Sequence, residues 1–346
     1  MNKVISLQEA EAYLRQRMDD QLNVHRVFQT FPGISRETWM VDGAYASGEP
    51  LNLVIRITPP NGGNCPFPLK AEYEVYKRLQ DSPVPIAKVL WYDEGIEFAD
   101  GRDHMVRVLV EGGTDVAGIA DPGPDGDRAR EHACKEHASK LGILHTLDWR
   151  EYGFGDIYPA PEDPADAIRS ELEQWRIYWH DNKTDAYPMI TEAFYWLESL
   201  VPTENVHLCL TKGNNGLGEE IWKDDSIVAM SDWELAALAD PSMDWAFSQG
   251  LLDLWDRDKL LEYYTEVSGI VIDPVVLAFA EVWTAFKAII CLEPSMVSFN
   301  NGEDLRPVNV TLGLGLPKNN ERHLSKVIGL KDIIRARDIV KGWRDS

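Results

Sequence analysis

Apolar residues recur at helical spacing over residues 6–20, where Leu7, Ala10, Tyr13 and Leu14 share one side, and the spacing predicts a helix. Over 25–58 the pattern shortens to that of strands. The run from Glu37 to Tyr45 ends at a turn and Leu51 to Thr58 forms a second strand, so strand–turn–strand is expected. Residues 59–68 are crowded with proline, glycine and asparagine and read as a loop. A helix over 69–80 follows, with Tyr73, Tyr76 and Leu79 on one face, and then two strands near 87–92 and 104–110. Beyond about 125 the period is helical, with helices expected at 126–147, 164–181, 188–200, 242–252, 258–267, 274–291 and 322–341. A short β-rich island, 206–232, interrupts them. Strands first and helices afterwards make an α+β chain of two lobes, 1–110 and 111–346.

The 346 residues carry 34 Lys and Arg against 57 Asp and Glu, a formal charge of −23. Such a balance disfavours nucleic acid and anionic membrane surfaces as partners. It favours solubility, and it would attract cationic ligands. The four cysteines, Cys65, Cys134, Cys209 and Cys291, form no CxxC pair, so neither a zinc site nor a redox motif is indicated. Their wide spacing suits a reducing compartment. The first residues carry acidic side chains where a signal peptide keeps an apolar run, and no stretch of eighteen consecutive apolar residues occurs, so a cytoplasmic protein is expected.

The chemistry concentrates in the island. Its core runs from Leu210 through Lys212, Gly213, Asn214, Gly218 and Glu219 to Trp222, and is followed by Asp232-Trp-Glu and Asp240-Pro-Ser-Met-Asp244. This order resembles the small-molecule kinases of the aminoglycoside phosphotransferase and choline kinase families. Those carry H-G-D-x-x-x-G-N, then D-W-E, then G-D-P-x-x-D. The resemblance spans about residues 25–290 and implies a protein-kinase-like fold, a β-rich N-lobe and a mainly helical C-lobe.

The resemblance also implies roles. Asn214 stands at the position of the catalytic base and Lys212 where the motif has His. Glu219 and Asp232 stand at the two positions that hold Mg²⁺ on the phosphates of ATP or another nucleoside triphosphate. Asparagine cannot take a proton, and losing such a base commonly costs about 10²–10⁴ in rate. A loose transition state moderates that loss, since positioning and charge stabilisation do most of the work. Glu219 brings a charged oxygen, which a hard cation prefers. Nearer the N-terminus, Gly33 and Ser35 match the phosphate-covering turn and Arg56 the phosphate-binding cation of its strand. The helix after it supplies that cation's carboxylate partner, Glu72 or else Glu74. Main-chain groups of Val108, Leu109 and Val110 match the segment that meets an adenine edge. His145 and Asp240 match structural positions, a buried hydrogen bonder and a helix cap.

Two functional classes follow. One is a phosphotransferase acting on a hydroxyl of a small molecule. The other, suggested by Asn214, is a nucleotide- or partner-binding pseudokinase without transfer. Trp175, Tyr178, Trp179 and Tyr187 either line a substrate cleft or pack in a helical core.

Overall fold

The computed structural model describes residues 4–30, 35–60, 62–63, 65–183, 187–303 and 305–327. The chain packs as two compact units, one of Met1–Ala160 with Leu208–Ile272, the other of Pro161–His207 with Asp273–Ser346.

The first unit opens with helix α1, Leu7–Arg17. Ser6 and Glu9 form a reciprocal capping box that satisfies two amides otherwise left open at its start. Five antiparallel strands follow, β1 (Asn23–Gln29), β2 (Glu37–Ala44), β3 (Pro50–Ile57), β4 (Val89–Asp93) and β5 (His104–Val108). Their order across the sheet is β1-β2-β3-β5-β4. Trp39, Val41, Leu53, Ile55, Ile57 and Val106 form its core together with Ala10 and Leu14 of α1. Each of the valines, leucines and isoleucines among them contributes about 1.5–3 kcal/mol by leaving water. Helix α2, Leu69–Leu79, buries Glu72, Val75, Tyr76 and Leu79.

A polar hub joins α1 to the sheet. The Tyr13 hydroxyl donates to Asp93 Oδ2 at 2.7 Å, accepts from Trp91 Nε1 at 2.6 Å and meets His104 Nε2 at 2.8 Å. The ring stacks on Phe98 with centroids 4.0 Å apart. Tyr13→Phe keeps the stacking and removes the shared oxygen. It is expected to cost about 1–3 kcal/mol, because buried groups of three residues lose a partner. A denaturant midpoint that does not move would contradict this.

The same unit continues through α3 (Gly123–His145), the short strand pairs β6 (Cys209–Thr211) with β9 (Ala237–Ala239) and β7 (Glu220–Lys223) with β8 (Ser226–Met230), and helix α8 (Arg257–Ser268). The helix expected over 242–252 is two short pieces, α6 (Ser242–Phe247) and α7 (Gln249–Leu252). They part at Ser248, whose hydroxyl turns back to the Asp244 carbonyl at 2.9 Å and meets His137 Nε2 at 3.1 Å. Such local bonds compete with helix continuation.

The second unit is helical: α4 (Pro164–Asn182), α5 (Pro188–Ser199), α9 (Pro274–Leu292), then Pro294–Asn300 and Leu316–Val327. The expected helix over 322–341 thus begins earlier, and its part beyond 327 lies outside the described residues. Trp175 and Trp179 are buried, and Trp175 meets Trp283 edge to face at 6.5 Å, so these two tryptophans belong to this unit's core. The Pro274–Asn300 stretch is long and apolar enough to cross a membrane, with a mean hydropathy of 2.0 in its most apolar window, 61 % of which is buried. Within it Lys287 is buried against Glu171 at 3.1 Å and lies 5.1 Å from the Trp283 ring centre. That is the packing of a core helix.

Candidate active site

The site is built on β3, α2 and the β6–β9 region, all within the first unit. Alternation along β3 turns Arg56 to one face of the sheet, where the side chain is 8 % exposed. Its Nη1 lies 3.2 Å from Glu72 Oε1, and its Nη2 lies 3.1 Å from Asp232 Oδ1 and 3.6 Å from Glu234 Oε2. Of the two candidate partners on α2, Glu72 is the one that reaches Arg56. Glu74 pairs instead with Arg78, one helical turn on. Three carboxylates around one guanidinium leave excess negative charge, and the protonation equilibria respond. Burial first, and then Asp232, push the Glu234 carboxyl up to about 7. Glu72 is raised by burial despite Arg56.

Asp232 moves the other way. Burial would raise it, but the charges of Arg56 and Lys212, with hydrogen bonds from Arg56 and Asn214, hold it below the usual carboxylate range. Its backbone is left-handed, with φ 64°. Aspartate tolerates that region better than most residues, and such outliers cluster at functional sites. The Asn214 amide donates from Nδ2 to Asp232 Oδ2 at 2.6 Å. This fixes the amide's orientation, because an ionised carboxylate only accepts. Lys212 is fully buried, and its Nζ donates to the Asn214 carbonyl. Glu219 lies within hydrogen-bonding reach of Asp232, and burial and then the neighbouring Asp232 charge raise its carboxyl. Two oxygen donors that repel one another suit a hard divalent cation. Among the described residues no group of three or more His, Cys, Asp or Glu is assembled to hold a metal ion.

Asp244 holds the loop from beneath. Its Oδ2 accepts the Lys212 amide at 2.8 Å and its Oδ1 the Gly213 amide at 2.7 Å, and His145 Nε2 reaches Oδ2 at 3.0 Å. His145 Nδ1 meets the Tyr264 hydroxyl at 2.7 Å, so the histidine is a buried hydrogen bonder away from the reacting groups. Asp240 Oδ1 accepts the Ser242 amide at 2.8 Å, but the N-cap position of α6 is Pro241, so Asp240 sits one residue short of the capping role expected of it. Gly213 has φ +81°, and a Cβ there would sit 2.1 Å from the Leu235 carbonyl, so only glycine lets the two segments meet.

Ser35 donates its hydroxyl to Glu234. Gly33 lies outside the described residues. Val108 and Leu109 use their amides in the sheet, donating to the Lys88 carbonyl at 2.9 Å and the Asn52 carbonyl at 3.0 Å. Val110 follows directly. Sequence reasoning assigned no role to Glu234 or Asp244, although both stand in the quoted motifs, and it passed over Arg36.

An antiparallel five-stranded lobe, a strand cation paired to a helix carboxylate, and an aspartate closing the same ion cluster define a kinase-like phosphotransfer fold. Residues 33–279 match the model of the phosphotransferase enzyme family, APH, and the chain belongs to that family. Solved structures agree on the fold. A Ralstonia eutropha protein classed with the aminoglycoside phosphotransferases is 20 % identical, with TM-score 0.66, covering 93 % of this chain and 98 % of that one. The choline kinase LicA of Streptococcus pneumoniae is 13 % identical, with TM-score 0.61, over 92 % and 99 %. A thermostable mutant of the aminoglycoside phosphotransferase APH(4)-Ia, in ternary complex with ADP and hygromycin B, is 15 % identical, with TM-score 0.58, over 91 % and 98 %. No curated protein matches the sequence.

Proposed function

We propose that this chain transfers the terminal phosphoryl group of a nucleoside triphosphate to a hydroxyl of a small molecule. Residues 1–110 would bind the nucleotide, and the remainder would carry the catalytic loop and metal ligands. The observation that carries the reading is Arg56, held at 3.2 Å from Glu72 and 3.1 Å from Asp232. A buried cation between a helix carboxylate and a metal-position aspartate is poised to meet phosphate oxygens. Asp232 and Glu219 would hold Mg²⁺, which would neutralise charge on the phosphates. The adenine edge would meet Val110 and the carbonyls near it, since the amides of Val108 and Leu109 are already paired.

Asn214 alters the chemistry without removing it. With Nδ2 given to Asp232, its Oδ1 is left to accept a hydrogen bond from the acceptor hydroxyl. It orients that hydroxyl and takes no proton. In a loose transition state the hydroxyl proton leaves late and can pass to an oxygen of the transferred phosphoryl group, so transfer proceeds slowly rather than failing. The same hydrogen bond favours a second reading, a nucleotide-binding protein without transfer, because it engages the metal-position aspartate.

The experiment is nucleotide binding and turnover with and without Mg²⁺, on the native chain and on Asn214→Asp. Mg²⁺ is expected to strengthen nucleotide binding to the native chain. Asn214→Asp is expected to raise turnover by about 10²–10⁴ in the presence of Mg²⁺. The variant should also be less stable without the metal, since two carboxylates then face each other. Mg²⁺-dependent binding with no native turnover favours the second reading. No nucleotide binding by the native chain sinks both.

A further inference from the structure

We propose that Arg36 is a positioning residue for nucleotide binding, holding in place the two carboxylates, Glu72 and Glu234, that aim Arg56. This rests on the nucleotide reading of Arg56. Arg36 is 1 % exposed. Its Nη1 donates to the Ser35 carbonyl at 3.1 Å and the Gly62 carbonyl at 3.5 Å. Its Nη2 donates to the Phe67 carbonyl at 2.9 Å and approaches Cys65 Sγ at 3.8 Å. One guanidinium therefore fastens the start of β2 to the loop that leads into α2.

Both ends of that brace lead to the site. Phe67 lies two residues before α2, which carries Glu72. Ser35, whose carbonyl Arg36 takes, gives its hydroxyl to Glu234. The carbonyls around Arg36 are neutral, so a buried guanidinium needs charge from elsewhere. Burial opposes the guanidinium's charge, and Cys65, then Glu234 and Glu72, favour it electrostatically. Arg36 and Arg56 are thus both acted on by Glu234 and Glu72. The loop is shaped to this guanidinium. Gly63 has φ +96°, and a Cβ there would lie 2.3 Å from Arg36 Nη1. Lysine has the charge but not the planar fork that reaches several carbonyls at once.

The test measures Mg²⁺·ATP affinity by calorimetry on native protein, Arg36→Lys, Arg36→Gln, Gly63→Ala, Glu234→Gln and the Arg36→Gln/Glu234→Gln double variant. Thermal denaturation monitors folding. Arg36→Gln and Arg36→Lys are expected to weaken binding about tenfold or more, since small misplacements of positioning groups have large effects. The losses from Arg36→Gln and Glu234→Gln should not add, because both act through one arrangement. Should Arg36→Gln fail to fold, Arg36→Lys and Gly63→Ala carry the test through weaker binding with a retained melting transition. A lowered melting temperature with unchanged affinity, or fully additive losses, would overturn the proposal and reduce Arg36 to a core brace. A native chain that binds no Mg²⁺·ATP removes the nucleotide reading and this inference with it, whereas equal binding by native and variants removes this inference alone.

Discussion

Asp244→Ala is expected to destabilise the protein by about 3–5 kcal/mol, the range for removing one partner of a buried charged pair. The carboxylate is fully buried and takes hydrogen bonds from the Lys212 and Gly213 amides and from His145. Alanine leaves three donors facing no acceptor. Asp244→Asn does little better, because its NH₂ must point at a donor. Burial opposes the Asp244 charge, but His145, by hydrogen bond and charge, and the two amides hold the carboxyl below the usual range. A depressed carboxyl contributes stability above its unfolded value, about 3.9. That contribution is lost as pH falls through the folded value. Native protein should therefore show an acid-side loss of stability that Asp244→Asn lacks. Denaturant midpoints measured from neutrality down to below pH 4 check this, and identical acid limbs for the two proteins would refute it.

Arg56→Met is expected to have the second large effect, on stability and ligand binding together. Removing the guanidinium leaves Glu72, Asp232 and Glu234 crowded with no direct ion-pair partner among the described residues. About 3–5 kcal/mol should be lost near neutral pH. Part should return on acidification. Glu234 already sits near 7 with Arg56 present, chiefly through burial, and without the cation its carboxyl moves higher. A carboxyl raised above its unfolded value destabilises increasingly as pH climbs from about 4.3 toward the folded value. The Glu234 part of the gap between variant and native should thus be absent near pH 5, open above about pH 7, where the native carboxyl ionises first, and widen as pH rises further. Nucleotide affinity should fall by at least about tenfold, as for the loss of a charge-assisted contact. A variant with native stability across this range, or with native nucleotide affinity, would show that Arg56 is not the centre of the cluster.

Regular elements were legible because each rests on a period. The β2–β3 hairpin follows from alternation, and α2 from the spacing of Tyr76 and Leu79, both of which are buried. Glu72 was preferred to Glu74, but only the folded chain decides between them, because two residues of helix rotation put them on nearly opposite faces. The site was legible only where motif order carried it. Asp232 and Arg56 meet across 176 positions of sequence, which no local pattern encodes. Glu234 lies two residues past Asp232 in irregular chain, where spacing sets no direction, so its approach to Arg56 and Ser35 was out of reach. Arg36 drew no role from the sequence, and its burial depends on a loop whose shape the sequence does not specify. The break at Ser248 depends on His137, more than one hundred residues away.

The Asp244 anchor has an evolutionary consequence. It grips the backbone amides of residues 212 and 213, and main-chain donors are the same whatever side chains those positions carry. The placement of the loop is thereby separated from the identity of residues 212 and 214. A lineage can exchange a proton-accepting side chain for an amide at 214, or a ring for an ammonium at 212, while the peptide path stays where it was. Chemical divergence in such a loop needs no accompanying repair of the scaffold.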